Sequence, residues 1–329
     1  MSVCTFPLNL RAVSSIVIVL LLCFTFLTGC IDDKQSDDNI QLTIMDIIAG
    51  SSSGDTIYLE NCTYYLSKKL FINESISLIG TSSNETIIVF DNFLSVSNEI
   101  IKILADDCYI AGIKFTTFNA SLKNKIDGIT IGSSNVTIVN CSICNTRNAV
   151  VLRGNIKNNC IWNNNIRNNS CSGIYVAESR ECNISGNTIS FNSKYGIYLN
   201  DANKNTLWGN VVRNCNYGIR FKGATYSKIF KNVISNNSYG IYMCCGAMMN
   251  VVYKNNFQMN RENNAYDSYE NYWNFEGIGN YWDDFDDISE GAYDQNQDGI
   301  IDASYVIPGW GSQDNFPLLQ PLNNIPTHD

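Results

Sequence analysis

The chain has 329 residues, of which 45% are hydrophobic and 16% charged, with a formal net charge of −9 and a sequence pI near 4.7. That acidic balance excludes a nucleic-acid partner, because neutralising phosphates requires clustered Lys and Arg. The one histidine, His328, stands at the ragged C-terminal end and anchors no His-based mechanism.

Residues 1–29 read as a targeting segment rather than part of a fold. Arg11 is their only charge, residues 16–27 form a 12-residue apolar run, and Leu27-Thr28-Gly29-Cys30 closes it. The run is short for a membrane span. Its ending resembles a lipobox, which implies that Cys30 becomes the lipidated first residue of an exported, surface-anchored protein; an ordinary signal peptide or uncleaved anchor is the alternative. Either reading puts the remainder outside the cytoplasm, with a formal charge of −10 once Arg11 is gone. Residues 30–41 hold Asp32, Asp33, Asp37 and Asp38 and read as a solvated tether. Three of the 13 cysteines, Cys4, Cys23 and Cys30, belong to this region. The other 10 show no paired CxxC zinc spacing, so a buried thiol is the default for each.

Thr43 to Ala49 places Ile44, Ile47 and Ile48 at helical spacing, which predicts a short amphipathic helix plugging one end of the fold. Short strand runs follow, Ile57-Tyr58-Leu59, Tyr64-Tyr65-Leu66 and Ile76-Ser77-Leu78 among them. Between 172 and 260 one phrase recurs: Ser-Gly-Ile-Tyr, Tyr-Gly-Ile-Tyr, Tyr-Gly-Ile-Arg and Tyr-Gly-Ile-Tyr, with Gly173, Gly196, Gly218 and Gly240 at intervals of 23, 22 and 22 residues. Asn187, Asn210, Asn232 and Asn255 keep the same beat. A repeat of this length with period-2 apolar runs cannot bury its apolar face alone, and stacking coils as a parallel β-helix solves that problem. The predicted fold is all-β, a right-handed parallel β-helix of roughly ten coils over 42–270, about 50 Å long at about 4.8 Å per coil. Alternation sends Ile174, Ile197, Ile219 and Ile241 inward, and the Asn column is expected at left-handed turn positions.

The residues Gly54-Asp55-Thr56-Ile57-Tyr58-Leu59, Ser75-Ile76-Ser77-Leu78-Ile79-Gly80 and Thr86-Ile87-Ile88 resemble the opening coils of β-helix proteins related to pectate lyases. The Asn and Gly-Ile repeat resembles the NosD-type branch of that superfamily, and Gly279-Asn280-Tyr281-Trp282-Asp283-Asp284-Phe285 is similar to the ending of archaeal surface members. The resemblance implies the fold and an exported location. Namesake members are associated with copper-enzyme maturation, which makes a copper-handling accessory role an alternative.

Four candidate sites remain. Tyr175, Tyr198, Arg220 and Tyr242 each follow a Gly-Ile and should line one outward face, either as a platform for an extracellular polysaccharide or surface glycan or as rings stacked on one another. Glu178 and Asp201 stand five residues after their glycines on adjacent coils and are the candidate acid–base pair of a polysaccharide lyase or hydrolase; a purely structural envelope protein is the third reading. Met243-Cys244-Cys245-Gly246-Ala247-Met248-Met249 carries soft ligands, but alternation sends Met243 inside and Cys244 outside, so copper is not expected there. After residue 270 the period stops, and 271–329 reads as an aromatic and acidic cap. Within it Asp294, Asn296, Asp298, the Ile300 carbonyl and Asp302 follow a calcium-loop order, with Gly299 at the sharp turn, against a solvated turn as the alternative. Tyr305 replaces the usual Glu, so further ligands would come from Asp283, Asp284, Asp286 or Asp287.

Overall fold

The computed structural model describes residues 43–91 and 98–323. The targeting segment, the whole of the tether with Cys30, and His328 lie outside the described residues. The fold is a right-handed parallel β-helix. Its three faces are parallel sheets, here A, B and C, with 9, 10 and 9 strands. Each coil contributes one strand to A, B and C in turn, from Thr56–Leu59, Thr63–Leu66 and Leu70–Ile72 in the first coil to Val251–Tyr253, Asn256–Gln258 and Asn263–Asp267 in the ninth. A tenth strand, Tyr281–Trp282, continues sheet B alone.

The core is a stack of aliphatic columns. Ile197, Ile219 and Ile241 are consecutive partners in sheet C, as are Leu199, Phe221 and Met243, and all are fully buried. Helix α1 (Ile44–Ala49) closes the N-terminal end, with Ile44 and Ile48 buried and a Thr43/Asp46 capping box starting it. The repeated glycines sit where sheet B turns into sheet C. A Cβ on Gly196 would lie 2.3 Å from Val212 Cγ1 and 2.5 Å from the Gly218 carbonyl. Close approach, not positive φ, therefore selects glycine here.

Three asparagine ladders run along the corners. In the first, Asn164, Asn187, Asn210, Asn232, Asn255 and Asn280 are linked Nδ2 to Oδ1 at 2.9–3.0 Å. Each Oδ1 also accepts the backbone N–H of the coil before it, and Nδ2 donates backwards to a carbonyl, as from Asn210 to Ile184. Every polar atom of an interior amide in this ladder is thus satisfied within the buried corner, whereas in the other two Asn159 Nδ2 and Asn192 Nδ2 are buried without a hydrogen-bond partner among the described residues. The left-handed residue is not the ladder Asn but the one before it: Asn163, Gly186, Gly209, Lys231 and Lys254 all have positive φ. That residue bends the chain, which leaves the next side chain lying along the axis.

Two tryptophans, packed with Phe257 and Tyr305, seal the far end. Trp282 stacks between Phe257 and Tyr305 at 4.3 and 4.1 Å, and Trp273 packs beside it at 5.8 Å, both tryptophans fully buried. Trp310, expected in the same cap, is 76% exposed, because its segment serves through its backbone N–H, which donates to the Asp267 carbonyl.

Each ladder ends on a carboxylate. Asn280 donates to Asp314, Asn271 to Asp267, and Asn260 to Asn264, which donates in turn to Asp283 and Asp284. The buried indoles use the same acids, Trp273 Nε1 meeting Asp267 and Trp282 Nε1 meeting Asp314, each at 3.0 Å. Ladder termini and aromatic plug are therefore one hydrogen-bonded unit.

Candidate functional site, the outer face of sheet C

Sheet C strands carry two consecutive inward residues, as in Tyr195–Asn200, where Gly196 and Ile197 are both buried. That local break in alternation puts the residue before each Gly outside together with the residue after each Ile. Two outward columns result. One runs Ser172, Tyr195, Tyr217, Tyr239 and the other Val151, Tyr175, Tyr198, Arg220, Tyr242, Tyr266.

The rings stack along the helix axis. Tyr175 lies on Tyr198 at 5.1 Å, Tyr217 on Tyr239 at 5.1 Å and Tyr242 on Tyr266 at 4.5 Å, while Tyr195 and Tyr198 bridge the columns at 4.7 Å. Arg220 fills the gap in the second column, 5.0 Å from the Tyr217 ring and 4.7 Å from the Tyr242 ring. Ring faces are thus largely turned on neighbouring coils, and the side chains are half-buried. Burial pushes the Tyr198 phenol up to about 12 and raises those of Tyr175 and Tyr242, so the strip stays neutral and keeps its hydroxyls as donors.

Towards the N-terminal coils the same face becomes charged. Lys69, Lys102, Arg147 and Arg153 with Glu99 and Asp127 line a cavity of about 430 Å³. Lys102, Thr130, Val151 and Tyr175 are successive partners, so this cavity opens onto the tyrosine column. Asp127 is fully engaged, accepting from Arg147 Nε and Nη2 at 2.9 and 2.7 Å and from Asn148 N and Nδ2 at 3.1 and 2.9 Å. That bond holds the Arg147 guanidinium above its ordinary value. Lys69 meets Glu99 at 3.1 Å. Lys102 and Arg153 make no salt bridge among the described residues, and the Thr130 hydroxyl is buried there without a hydrogen-bond partner. Sequence reasoning missed this cavity and the first tyrosine column; the Tyr before each Gly was the visible signal for the latter.

Glu178 and Asp201 do occupy equivalent corners of adjacent coils, both exposed and left-handed at φ 57° and 50°. No hydrogen bond joins them; Asp201 Oδ2 accepts from Asn200 at 3.2 Å. In the 294–302 loop, Asp294 accepts from Asp298 N and Gly299 N at 3.2 and 2.9 Å, Asp298 from Ile300 N at 2.9 Å, and Asp302 from Gln295 N at 2.8 Å. Gly299 has φ 84°, which permits this turn. Tyr305 belongs to the aromatic plug, its hydroxyl 3.1 Å from Asp284. Asp283, Asp284, Asp286 and Asp287 are held by Asn264, Tyr281 and a cap at Ser289 rather than pointing at the loop. Among the described residues no three of His, Cys, Asp and Glu gather closely enough to hold a metal.

The fold and this face define a solenoid whose outer sheet C carries a cavity with basic side chains towards one end and stacked phenols towards the other. The sequence model of the family described as periplasmic copper-binding protein (NosD) matches residues 97–287, and the chain belongs to that family. No curated protein matches it. Among solved structures it is similar to an alginate lyase from Paenibacillus sp. str. FPU-7, with 16% identity and TM-score 0.51, covering 72% of this chain and 94% of that one. The Azotobacter vinelandii mannuronan C-5 epimerase AlgE6 A-module gives 16% and 0.50 over 68% and 72%, and pectate lyase Pel9A gives 16% and 0.50 over 75% and 70%. At these identities the likeness establishes the fold alone.

Proposed function

We propose that the protein is an extracytoplasmic β-helix that binds an anionic surface polysaccharide along sheet C. The observation that carries this reading is the continuity of the face: Lys102, which makes no salt bridge among the described residues, leads in register through Thr130 and Val151 to Tyr175 and the stacked tyrosines, with Arg153, likewise free of one, two residues along the strand from Val151. A uronate-bearing chain would meet the cations with its carboxylates and the phenol edges and Arg220 with its hydroxyls. The description of the family as periplasmic and the targeting segment support the location, and Cys30 supplies the lipid anchor in this reading.

Lys102→Ala with Arg153→Ala should weaken binding of a polyuronate about tenfold at low salt, with the difference shrinking at high salt, while melting stays unchanged. Tyr175, Tyr198 and Tyr242→Ser should lower binding of charged and neutral glycans alike. Equal affinity in these folded variants on a glycan array would overturn the reading. Shortened or unsaturated products in the same incubations, lost on Glu178→Gln or Asp201→Asn, would instead favour the polysaccharide lyase or hydrolase.

For the copper named in the family description, Met243 is buried in the core, and among the described residues no third His, Cys, Asp or Glu gathers with Cys244 and Cys245. For the cap, we infer that the 294–302 loop takes Ca²⁺ through Asp294, Asn296, Asp298, the Ile300 carbonyl and Asp302, because their order follows a calcium loop with Gly299 at the turn, φ 84°; Asp294, Asp298 and Asp302 would have to draw together as the ion binds. Calcium at about five times its Kd should add roughly 1 kcal/mol, seen as a rise in Tm, and Mg²⁺ much less. Asp298→Ala should lose that shift and keep the calcium-free Tm; an equal shift in variant and parent would place the ion elsewhere.

A further inference from the structure

We propose that Cys244 and Cys245 form a redox-active vicinal dithiol, which closes to a ring disulfide by exchange with a small external disulfide. Cys244 ends the strand Tyr239–Cys244 on the outer side of sheet C, in the column of Asn200 and Lys222. Cys245 takes the left-handed corner, φ 57°, that Glu178, Asp201 and Gly223 occupy on preceding coils. The turn brings the two Sγ atoms to 2.8 Å, within about 1 Å of sulfur–sulfur bonding distance. Cys245 is exposed while Cys244 is buried, and Arg220 Nη2 donates to Cys244 Sγ at 3.2 Å. Cys108, Cys141, Cys182 and Cys215, by contrast, are buried and donate to backbone carbonyls.

The order of events follows from access. Burial, then the bond with Cys245, pushes the Cys244 thiol up to about 11, so the accessible Cys245 attacks first. Its thiolate takes one sulfur of the external disulfide and expels the other as a thiolate. Cys244 then gives up its proton to that thiolate, attacks Cys245 Sγ with Arg220 alongside, and expels the second thiol. Two protein thiols are oxidised and one disulfide is reduced to two thiols, with no other reactant. The switch lies one hydrogen bond from the guanidinium held between Tyr217 and Tyr242.

The test uses the reduced full chain, incubated with mixtures of oxidised and reduced glutathione, acid-quenched, alkylated and cut with trypsin. The peptide 232–254, bounded by Lys231 and Lys254, contains these two cysteines and no others. It should appear lighter by two hydrogen atoms and free of glutathione, at an oxidised-to-reduced ratio at least about tenfold lower than the same chain requires in urea. Cys244→Ser should stop at a glutathione adduct on Cys245. Alkylation of both thiols in the parent, a stable adduct without ring closure, or equal midpoints in the folded and unfolded chain would each overturn the proposal.

Discussion

Ile219→Asp is expected to unfold the middle of the solenoid. Ile219 lies between Ile197 and Ile241 and all three are fully buried, so the variant puts a carboxylate among methyl groups with no donor in reach. The cost is roughly 4 kcal/mol or more, above what ordinary point changes produce. Each coil contacts its neighbours alone, so adjacent coils lose their template as well. Urea melts followed by circular dichroism should show a lower midpoint and a broader transition. A midpoint equal to the parent's would mean that Ile219 faces solvent.

The second large effect is expected at Asp314, although it lies outside the repeat. Its carboxylate accepts from Asn280 N at 2.7 Å, Asn280 Nδ2 at 3.2 Å, Trp282 Nε1 at 3.0 Å and Phe316 N at 3.1 Å. Asp314→Ala strands Asn280 N, Trp282 Nε1 and Phe316 N, while Asn280 Nδ2 keeps its bonds to the Trp273 and Val252 carbonyls; at about 1–3 kcal/mol for a buried group left unpaired, the change should loosen the aromatic plug before the coils. Near-ultraviolet circular dichroism of the tryptophans reads that loss. Burial pushes this carboxyl up to about 6, against donors that pull it down. In the unfolded chain it titrates near about 4, so between about pH 4 and 6 the folded state binds more protons than the unfolded one. The contribution of Asp314 to stability is therefore complete below about pH 4 and declines as pH rises to about 6. Subtracting the pH profile of Asp314→Asn from the parent's should reveal that decline. A pH-independent difference would place the carboxyl's folded value at its unfolded one.

The repeat was legible because Gly and Asn answer local steric and hydrogen-bonding demands that recur on every coil, as Gly196 and Asn210 do. The inward isoleucines followed from alternation. Tyr195, Tyr217 and Tyr239 escaped because alternation assigns them the parity of Ile197, Ile219 and Ile241, and the double inward step at the glycine reverses that. The basic cavity escaped for a different reason. From Lys102 through Thr130 and Val151 to Tyr175 the spacing is 28, 21 and 24 residues, partly because α2 (Ala120–Lys123) intrudes, so no period links residues that are neighbours in space. The acids that end the ladders are supplied by chain beyond the repeat, where sequence gives no register.

The one-way sense of the ladders also bears on how such a protein lengthens. In the ladder from Asn164 to Asn280, an interior asparagine both accepts from the coil before and donates to the coil after, so an added coil carrying the same residues meets both demands wherever it is spliced in there. A carboxylate accepts and has no proton to hand on. Asp267, Asp314 and the Asp283–Asp284 pair are consequently chain terminators in a hydrogen-bonding sense. Growth by duplication is open within the rod and closed at its tip, and a second molecule arriving there finds spent acceptors instead of a template to extend.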